Sequence, residues 1–285
     1  MKTIEKNKFK INLDRKQGFL LDMDGVLYKG ESMIPGAKEF ISYLQKNSVP
    51  HLFLTNNSRP TPRDIAYKLT KKIGIKVSEE SIYTSAMSTA HFLSSQVKNG
   101  SAFVLGEGGL QKALYDVGYS INEQDPDYVV VGESRVLTLE VIEKAIDLII
   151  AGAKLIATNL DPSPKVKGWP KPGTGAVIKM LEEASGKKCL CLGKPSPILM
   201  HDARKYLGLR SEQTVMVGDT METDIIGGIS MGYKTILVLT GATHQENLHN
   251  YPYTPHYISD SVKDLLPKET EVLKKDKDLK LTGVA

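Results

Sequence analysis

The chain has few cysteines and no long apolar run, and each shortage excludes a class of protein. Its 285 residues include two cysteines, Cys189 and Cys191, whose i, i+2 spacing within one predicted strand is a poor geometry for a mutual disulfide. Such sparse cysteine predicts a reducing, cytoplasmic compartment. Residues 1–16 are polar and charged, unlike a signal peptide, and no apolar run approaches the roughly 20 residues of a membrane-spanning helix.

The chain also lacks a dense block of basic residues. Lys and Arg total 37 against 33 Asp and Glu, and the resulting net charge of +4 is scattered along the sequence. Nucleic-acid-binding proteins concentrate their positive charge, so we expect no nucleic-acid partner, and the missing apolar run predicts no membrane partner. A mildly positive field suits a small anionic substrate.

Short apolar runs alternate with amphipathic segments, which predicts an α/β fold with a doubly wound, Rossmann-like parallel sheet. The predicted strands are 19–21, 49–54, 101–105, 128–131, 154–157, 189–192, 214–217, 234–239 and 257–258. The chemistry at the strand ends changes near residue 85, and the first pattern resumes near residue 187. We therefore predict a discontinuous core of residues 1–86 and 187–285, with an inserted α/β domain of residues 87–186.

One glycine-rich turn in the insert is compatible with dinucleotide binding. Gly106 to Gly109 follow a predicted strand, but the dinucleotide fingerprint requires glycine where this chain has Gln111. We interpret the turn as a tightly packed connection between a strand and a helix, and predict no such cofactor.

The insert also contains a long irregular loop, residues 159–175, which holds the single tryptophan. We take Asp161 to be the acid near the strand ends of the insert. Long loops in compact domains are often functional, so we expect Asn159, Asp161 and Trp169 to influence substrate choice. The alternative is that Trp169 covers an apolar patch.

The stretch 18–27, GFLLDMDGVL, organises the rest of the chain. If it begins as a strand, Asp22 and Asp24 leave the strand end on the same side and close together. Two neighbouring carboxylates repel each other, and a divalent cation with a preference for oxygen, Mg²⁺, would relieve the repulsion. The alternative interpretation is an ordinary Asp-Gly turn.

Polar groups follow four apolar strands of the predicted core. Ligands of open parallel sheets bind outside the carboxyl ends of the strands, so these groups should share one crevice. They are Asp22 with Asp24, Thr55 with Asn56, Lys194, and Asp219.

This set suits phosphoryl transfer. Asp22 can attack phosphorus and form an aspartyl-phosphate, while Asp24 protonates the leaving oxygen and later accepts a proton from water. Thr55 and the backbone at Asn56 can bind phosphoryl oxygens, and Lys194 can neutralise the developing charge. Asp219 would hold Mg²⁺ together with Asp22.

Four segments resemble the signature motifs of the haloacid dehalogenase superfamily, in the same order and at the same strand ends. The sequences TNN and GKPSP, together with the insert between the second and third motifs, resemble the NagD-like branch, which includes the p-nitrophenyl phosphatase type enzymes. The insert segments IATNLD and PGTG resemble the cap domain of that branch. The four signature segments are DMDGVL (22–27), LTNN (54–57), GKP (193–195) and VGDTMETD (217–224).

The resemblance implies a Mg²⁺-dependent phosphatase whose inserted domain closes as a cap over the crevice. It implies a catalytic set of Asp22, Asp24, Thr55 and Lys194. Further sites follow from the same motifs: phosphate-binding residues Thr55, Asn56, Asn57 and Lys194; metal ligands Asp22, Asp24 through its backbone carbonyl, and Asp219; and Asp224, which orients metal waters or Lys194.

The partner is expected to be a small phosphorylated metabolite: a nucleoside monophosphate, a sugar phosphate, phosphoglycolate or a pyridoxal-type phosphate. A phosphotransferase is the nearest enzymatic alternative, and a catalytically silent phosphate-binding module is the alternative from another class. Analogy with the family also predicts a homodimer.

Overall fold

The computed structural model describes residues 9, 11, 16–162 and 171–267. Within these residues the strands are β1 Gly18–Leu21, β2 Tyr28–Lys29, β3 Ser32–Met33, β4 His51–Thr55, β5 Ile82–Thr84, β6 Ser101–Leu105, β7 Ser120–Ile121, β8 Tyr128–Val131, β9 Lys154–Ala157, β10 Leu190–Cys191, β11 Thr214–Gly218, β12 Lys234–Val238 and β13 Tyr257–Ser259. The α-helices in the same residues are α1 Ala37–Lys46, α2 Pro62–Tyr67, α3 Ser85–Gln96, α4 Gly108–Asp116, α5 Leu139–Ala151, α6 Thr174–Ser185, α7 Pro197–Tyr206 and α8 Ile226–Ser230.

Six of the described strands form one parallel sheet, in the order β13-β12-β11-β1-β4-β5. The strand β1 lies between β4 and β11, and all four of its residues are buried. The chain runs outward from β1 in both directions, so the connections reverse beside this strand. A reversal of this kind opens a crevice at the carboxyl ends of the strands, which is where ligands bind in such sheets.

Helices cover both faces of this sheet, as the alternating pattern predicts. Phe19 packs in the cluster that contains Phe40 of α1, on one face. Its neighbour Leu20 points to the opposite face and packs with Leu199 and Met200 of α7. Because successive strand residues alternate between faces, a strand that is apolar throughout indicates a sheet covered on both sides. The predicted doubly wound α/β core is therefore confirmed.

A second parallel sheet has the order β10-β9-β8-β6-β7 within the described chain. Leu110 of α4 packs on one face with Val130, while Ile142 of α5 and Ile178 of α6 pack on the other face with Val129. The insert is thus an α/β layer with its own core. No helix of the described chain is both long and apolar enough to cross a membrane.

One strand belongs to a different sheet from the one predicted. The pattern around residues 189–192 was expected to resume the core, but β10 pairs with β9 of the second sheet, Leu190 opposite Ile156. The strand is short and lies at the sheet edge, and an apolar run of this length fits either sheet. The boundaries 1–86, 87–186 and 187–285 remain a prediction, and β10 places residues 190–191 with the insert.

Three further strand features were not predicted: the β2–β3 hairpin, β5 and β7. Each has two or three residues, too few to give a clear alternation of apolar and polar side chains. Cys189 and Cys191 are free, as their spacing predicts.

Candidate active site

The structure brings Lys194 and the strand-end aspartates into direct contact. Asp22 directly follows β1, and Asp219 directly follows β11, the neighbouring strand. The ammonium of Lys194 lies 2.8 Å from Oδ1 of Asp22 and 2.7 Å from Oδ1 of Asp224. It also donates to the carbonyl of Leu54 at 3.5 Å. Lys194 reaches this crevice from the end of β10, although β10 belongs to the second sheet.

This ion network is almost completely removed from water. The side chains of Lys194 and Asp224 are 4% and 0% exposed, and that of Asp22 is 13% exposed. Burial alone would lower the pKa of Lys194, but the carboxylates of Asp22 and Asp224 raise it above its ordinary value. The lysine is therefore a permanent cation at the base of the crevice.

Within the described residues, three carboxylates share this space with one ammonium. Asp22, Asp219 and Asp224 each place an oxygen within 4.8 Å of the others. Burial raises the pKa of Asp22, and Lys194 opposes the rise while Asp224 and Asp219 add to it. The surplus of negative charge and the all-oxygen donor set fit a hard divalent cation. These residues can therefore bind a metal ion.

Glycines create the space for the Asp219 carboxylate. A Cβ on Gly25 would lie 2.4 Å from Oδ2 of Asp219, and a Cβ on Gly241 would lie 1.9 Å from the same oxygen. Gly25 also has a φ of +83°, which other residues rarely adopt. Oδ2 accepts a hydrogen bond from the backbone N–H of Ala242, and Oδ1 accepts one from the hydroxyl of Thr220. The carboxylate is thus fixed by the turns around it.

Asp24 lies apart from this carboxylate group. Its side chain is exposed, whereas that of Asp22 is largely buried, and Asp24 forms an isolated β-bridge with Tyr28. That Asp22 and Asp24 share one cation remains a prediction. Asp219 and Asp224 are the carboxylates that gather with Asp22, while Asp24 is exposed.

The side chain of Asn56 holds the Lys194 backbone. Its Oδ1 accepts from the Lys194 N–H at 2.7 Å, and its Nδ2 donates to the Lys194 carbonyl at 3.2 Å. The same amide nitrogen lies 3.4 Å from Oδ2 of Asp161, and the backbone carbonyl of Asn56 accepts from Nδ2 of Asn159 at 2.9 Å. The side chain of Asn56 thus joins the two sheets, and phosphate binding by the Asn56 backbone remains a prediction.

The other residues of the second motif form a tight turn after β4. Thr55 Oγ1 accepts from the Asn57 N–H at 3.1 Å, and Asn57 Oδ1 accepts from the Arg59 N–H at 3.0 Å. A hydroxyl that accepts in this way still has its proton to donate to a ligand oxygen. Thr55 is buried at the end of its strand, beside the Asp22 strand.

The three residues predicted to influence substrate choice differ in placement. Asn159 is completely buried and bonds to Asn56, so it supports the junction between the sheets. Asp161 is half-buried against the same residue, and its N–H donates to Oδ1 of Asn159 at 3.0 Å. Trp169 lies outside the described residues.

The sequence interpretation overlooked the acids at two strand ends of the insert. Glu107 follows β6 and Glu133 follows β8, so Asp161 is not the single acid there. Arg59, in the turn after β4, lies 3.7 Å from Glu107 through its Nε. The signal was present in the sequence, because each glutamate follows a glycine at the end of a predicted strand. The tight packing predicted for the turn at Gly106 to Gly109 is confirmed. A Cβ on Gly109 would lie only 2.5 Å from the Pro60 carbonyl oxygen.

Comparison with known proteins agrees with this geometry. The family model for haloacid dehalogenase-like hydrolases matches residues 19–120, and a second, HAD-hydrolase-like model matches residues 191–265. A dihydroxyacetone phosphatase of Corynebacterium glutamicum is 43% identical over 87% of this chain and 90% of its own length. An acid sugar phosphatase of Staphylococcus epidermidis is 40% identical over 87% of this chain and 95% of its own.

A solved structure of NagD from Escherichia coli K-12 superposes with a TM-score of 0.81 and 37% identity, covering 87% of this chain and 97% of that one. Both relatives named above are called phosphatases and align over most of their own length. The chain therefore belongs to the haloacid dehalogenase-like hydrolases, within which it is a phosphatase of the NagD-like branch.

Proposed function

We propose that the chain is a Mg²⁺-dependent phosphomonoester hydrolase that acts on a small phosphorylated metabolite through an aspartyl-phosphate on Asp22. The single observation that carries the proposal is the Lys194 ammonium between the carboxylates of Asp22 and Asp224, with Asp219 beside them. A buried, cation-supported carboxylate at a strand end is suited to attack a phosphoryl group.

In the first step, an Asp22 carboxylate oxygen bonds to phosphorus as the bond from phosphorus to the leaving oxygen breaks. The Asp24 carboxyl gives its proton to that leaving oxygen, and its exposed side chain suits contact with the leaving group. In the second step, Asp24 accepts a proton from water, the water oxygen bonds to phosphorus, and the bond from phosphorus to Asp22 breaks. Inorganic phosphate leaves, and both carboxyl groups return to their starting states.

The surrounding groups stabilise the charge that spreads over the phosphoryl oxygens. Lys194 offers a cation next to the attacking oxygen, and the Thr55 hydroxyl and the backbone N–H of Asn56 offer hydrogen-bond donors. Asp224 anchors the ammonium of Lys194 from its other side. The side chain of Asn56 holds the Lys194 backbone in this scheme.

The donor set supports Mg²⁺ as the resident cation. Asp22 and Asp219 would hold it through their carboxylates, with the backbone carbonyl of Asp24 as the family-implied third protein ligand. When bound, the ion supplies positive charge to the phosphoryl oxygens and keeps Asp22 ionised.

The names of the two relatives favour a sugar or triose phosphate among the candidate substrates. Nucleoside monophosphates, phosphoglycolate and pyridoxal-type phosphates remain in the proposed substrate range. A cytoplasmic location agrees with the two free thiols, and a homodimer remains a prediction from family analogy.

The test is turnover of p-nitrophenyl phosphate with and without Mg²⁺. We expect the Asp22→Asn variant to lose at least about a thousandfold in kcat, because the amide is a far weaker nucleophile. Asp147→Asn, the same change at an exposed position of α5, should keep wild-type turnover. Circular dichroism and thermal melts establish that both variants fold.

Near-normal turnover in Asp22→Asn would remove the nucleophile assignment. Wild-type protein that shows no metal-dependent turnover would favour a binding module instead. Transfer of labelled phosphate to an alcohol rather than to water would identify a phosphotransferase.

A further inference from the structure

Glu133 lies where the second sheet meets the turn that follows β4. Its backbone N–H donates to Oγ of Ser58 at 3.0 Å, and the buried Thr158 hydroxyl donates to the same oxygen at 3.0 Å. A Cβ on Gly132 would lie 2.7 Å from Ser58 Oγ, so the close approach depends on glycine. Ser58 belongs to the turn that carries Thr55, and Glu133 is therefore fixed relative to the proposed phosphate-binding hydroxyl.

The Glu133 carboxyl has no hydrogen bond or ion pair within the described residues, although it is only partly exposed. Burial raises its pKa to about 7; Arg59 and Arg135 oppose the rise, while Asp161 and Glu107 add to it. These four groups face the carboxyl from the turn after β4 and from the ends of β6, β8 and β9. An unpartnered carboxyl in such a place is suited to accept hydrogen bonds from a ligand.

Among the described residues, the nearby cations compensate for only part of this charge. Arg59 Nε lies 3.7 Å from Oε2 of Glu107, and Oε1 of Glu107 accepts from the backbone N–H of Arg135 at 2.9 Å. In the part of the chain that the structure describes, the carboxyls of Glu133, Glu107 and Asp161 thus outnumber the guanidinium groups of Arg59 and Arg135 at this edge. A ligand that brought a second anion here would meet a surplus of negative charge.

We propose that Glu133 determines specificity at the leaving-group side of the catalytic crevice. Its carboxyl accepts hydrogen bonds from hydroxyls of an uncharged leaving group and repels a leaving group that carries its own anion. The inference rests on the proposed function, because it requires a phosphomonoester bound between Asp22 and the insert. It favours polyol and sugar phosphates over phosphorylated carboxylic acids such as phosphoglycolate.

A matched pair of substrates isolates this effect. Glycerol 3-phosphate and 3-phosphoglycerate share a three-carbon skeleton and a C2 hydroxyl, and differ by a hydroxymethyl group in place of a carboxylate. The quantity to measure is the ratio of kcat/KM for the first ester to kcat/KM for the second, with Mg²⁺ present. The phosphate group is common to both, so its own ionisation largely cancels in the ratio.

We expect the wild-type ratio to favour glycerol 3-phosphate and to fall about tenfold in Glu133→Gln, which keeps the shape and removes the charge. Glu133→Asp, which keeps the charge, should retain most of the preference. Glu183→Gln, the same change at an exposed position of α6, should leave the ratio unchanged.

The pH dependence separates a charge effect from a structural one. Because the pKa of Glu133 is raised to about 7, its carboxyl is increasingly neutral below that pH and ionised above it. The wild-type ratio should therefore rise between about pH 6 and pH 8, and it should be flat in Glu133→Gln.

An unchanged ratio and an unchanged pH profile in Glu133→Gln would overturn the assignment of Glu133 alone. Wild-type protein that hydrolyses neither ester nor p-nitrophenyl phosphate would instead overturn the proposed function, and the inference with it.

Discussion

The Asn56 amide forms two hydrogen bonds with one residue, through its oxygen to the Lys194 N–H and through its nitrogen to the Lys194 carbonyl. An amide offers an acceptor and a donor side by side at any pH, whereas an ionised carboxylate offers acceptors alone. The bonds fix the backbone from which the Lys194 ammonium reaches Asp22. A residue in the turn after β4 thereby helps to position the ammonium that contacts Asp22.

We expect Asn56→Asp to lower kcat by about tenfold to a hundredfold. The aspartate keeps one acceptor for the Lys194 N–H, but its second oxygen faces the Lys194 carbonyl and Oδ2 of Asp161, which are both acceptors. The measurement is kcat and KM for p-nitrophenyl phosphate, together with the pH dependence of kcat, which reports any change around the nucleophile.

Asn122→Asp is the matched control for this prediction. The Oδ1 of Asn122 also accepts from a backbone N–H, that of Gln124 at 2.9 Å, and its replacement keeps that bond. Wild-type kcat and an unaltered pH profile in Asn56→Asp would show that the amide has no positioning role.

At the level of single residues, the sequence predicts which side chains gather at one edge of a sheet. It does not predict every hydrogen bond that each of them forms. Asp22, Thr55 and Asp219 could be placed together because they terminate neighbouring parallel strands. The contact between Asn56 and Lys194 joins two different sheets, and no pattern within either segment specifies it. The same limit applies to Glu133, whose role depends on the approach of Ser58 from the other sheet.

Among the secondary-structure elements, α4 packs directly against the turn after β4. Its second residue, Gly109, donates its N–H to the Arg59 carbonyl at 2.8 Å. A Cβ on Gly109 would lie 2.5 Å from the Pro60 carbonyl oxygen, whereas a Cβ on Gly108 would meet nothing within 4 Å. Two adjacent glycines in one helical turn therefore face opposite environments.

We expect Gly109→Ala to push α4 away from this turn, to destabilise the protein by about 1–3 kcal/mol and to lower kcat/KM. Gly108→Ala should be neutral or slightly stabilising, because alanine is a better helix former and the space is open. Thermal melts and p-nitrophenyl phosphate kinetics compare the two variants. Equal melting temperatures for both variants would contradict the close packing of Gly109 against the turn after β4.

The strand β10 shows why the elements themselves could not all be assigned to a sheet in advance. A strand preference depends on the local sequence, but its partner is decided by which sheet edge lies within reach. Leu190 and Cys191 align with Ile156 and Ala157, and Leu192 packs with Leu110 in the insert. The segment that leads to Lys194 therefore starts from the insert, so the position of Lys194 depends on the position of the insert.

On the scale of the whole molecule, we expect the group of Asp22, Asp219 and Asp224 to oppose folding in the absence of a bound metal ion. Folding brings Asp22, Asp219 and Asp224 together around a single ammonium, so their mutual repulsion lowers the free energy of unfolding. An ion that binds the folded state and not the unfolded chain reverses this effect by mass action. Binding of the proposed metal ion should thus raise the free energy of unfolding, an effect that can be measured independently of turnover.

We expect Mg²⁺ at about ten times its dissociation constant to stabilise the wild-type protein by about 1.4 kcal/mol, a rise of roughly 3 °C in Tm. In Asp219→Asn most of that rise should vanish, since one charged ligand is gone. The same variant should melt no lower than wild type without metal, because the substitution removes a repelling charge while its amide oxygen can still accept from the Ala242 N–H. Asp147→Asn, with an exposed carboxylate on α5, should respond to Mg²⁺ as the wild type does. A full Mg²⁺ response in Asp219→Asn would show that the ion binds elsewhere, and a lower metal-free Tm would show that the Asp219 carboxylate stabilises the fold rather than straining it.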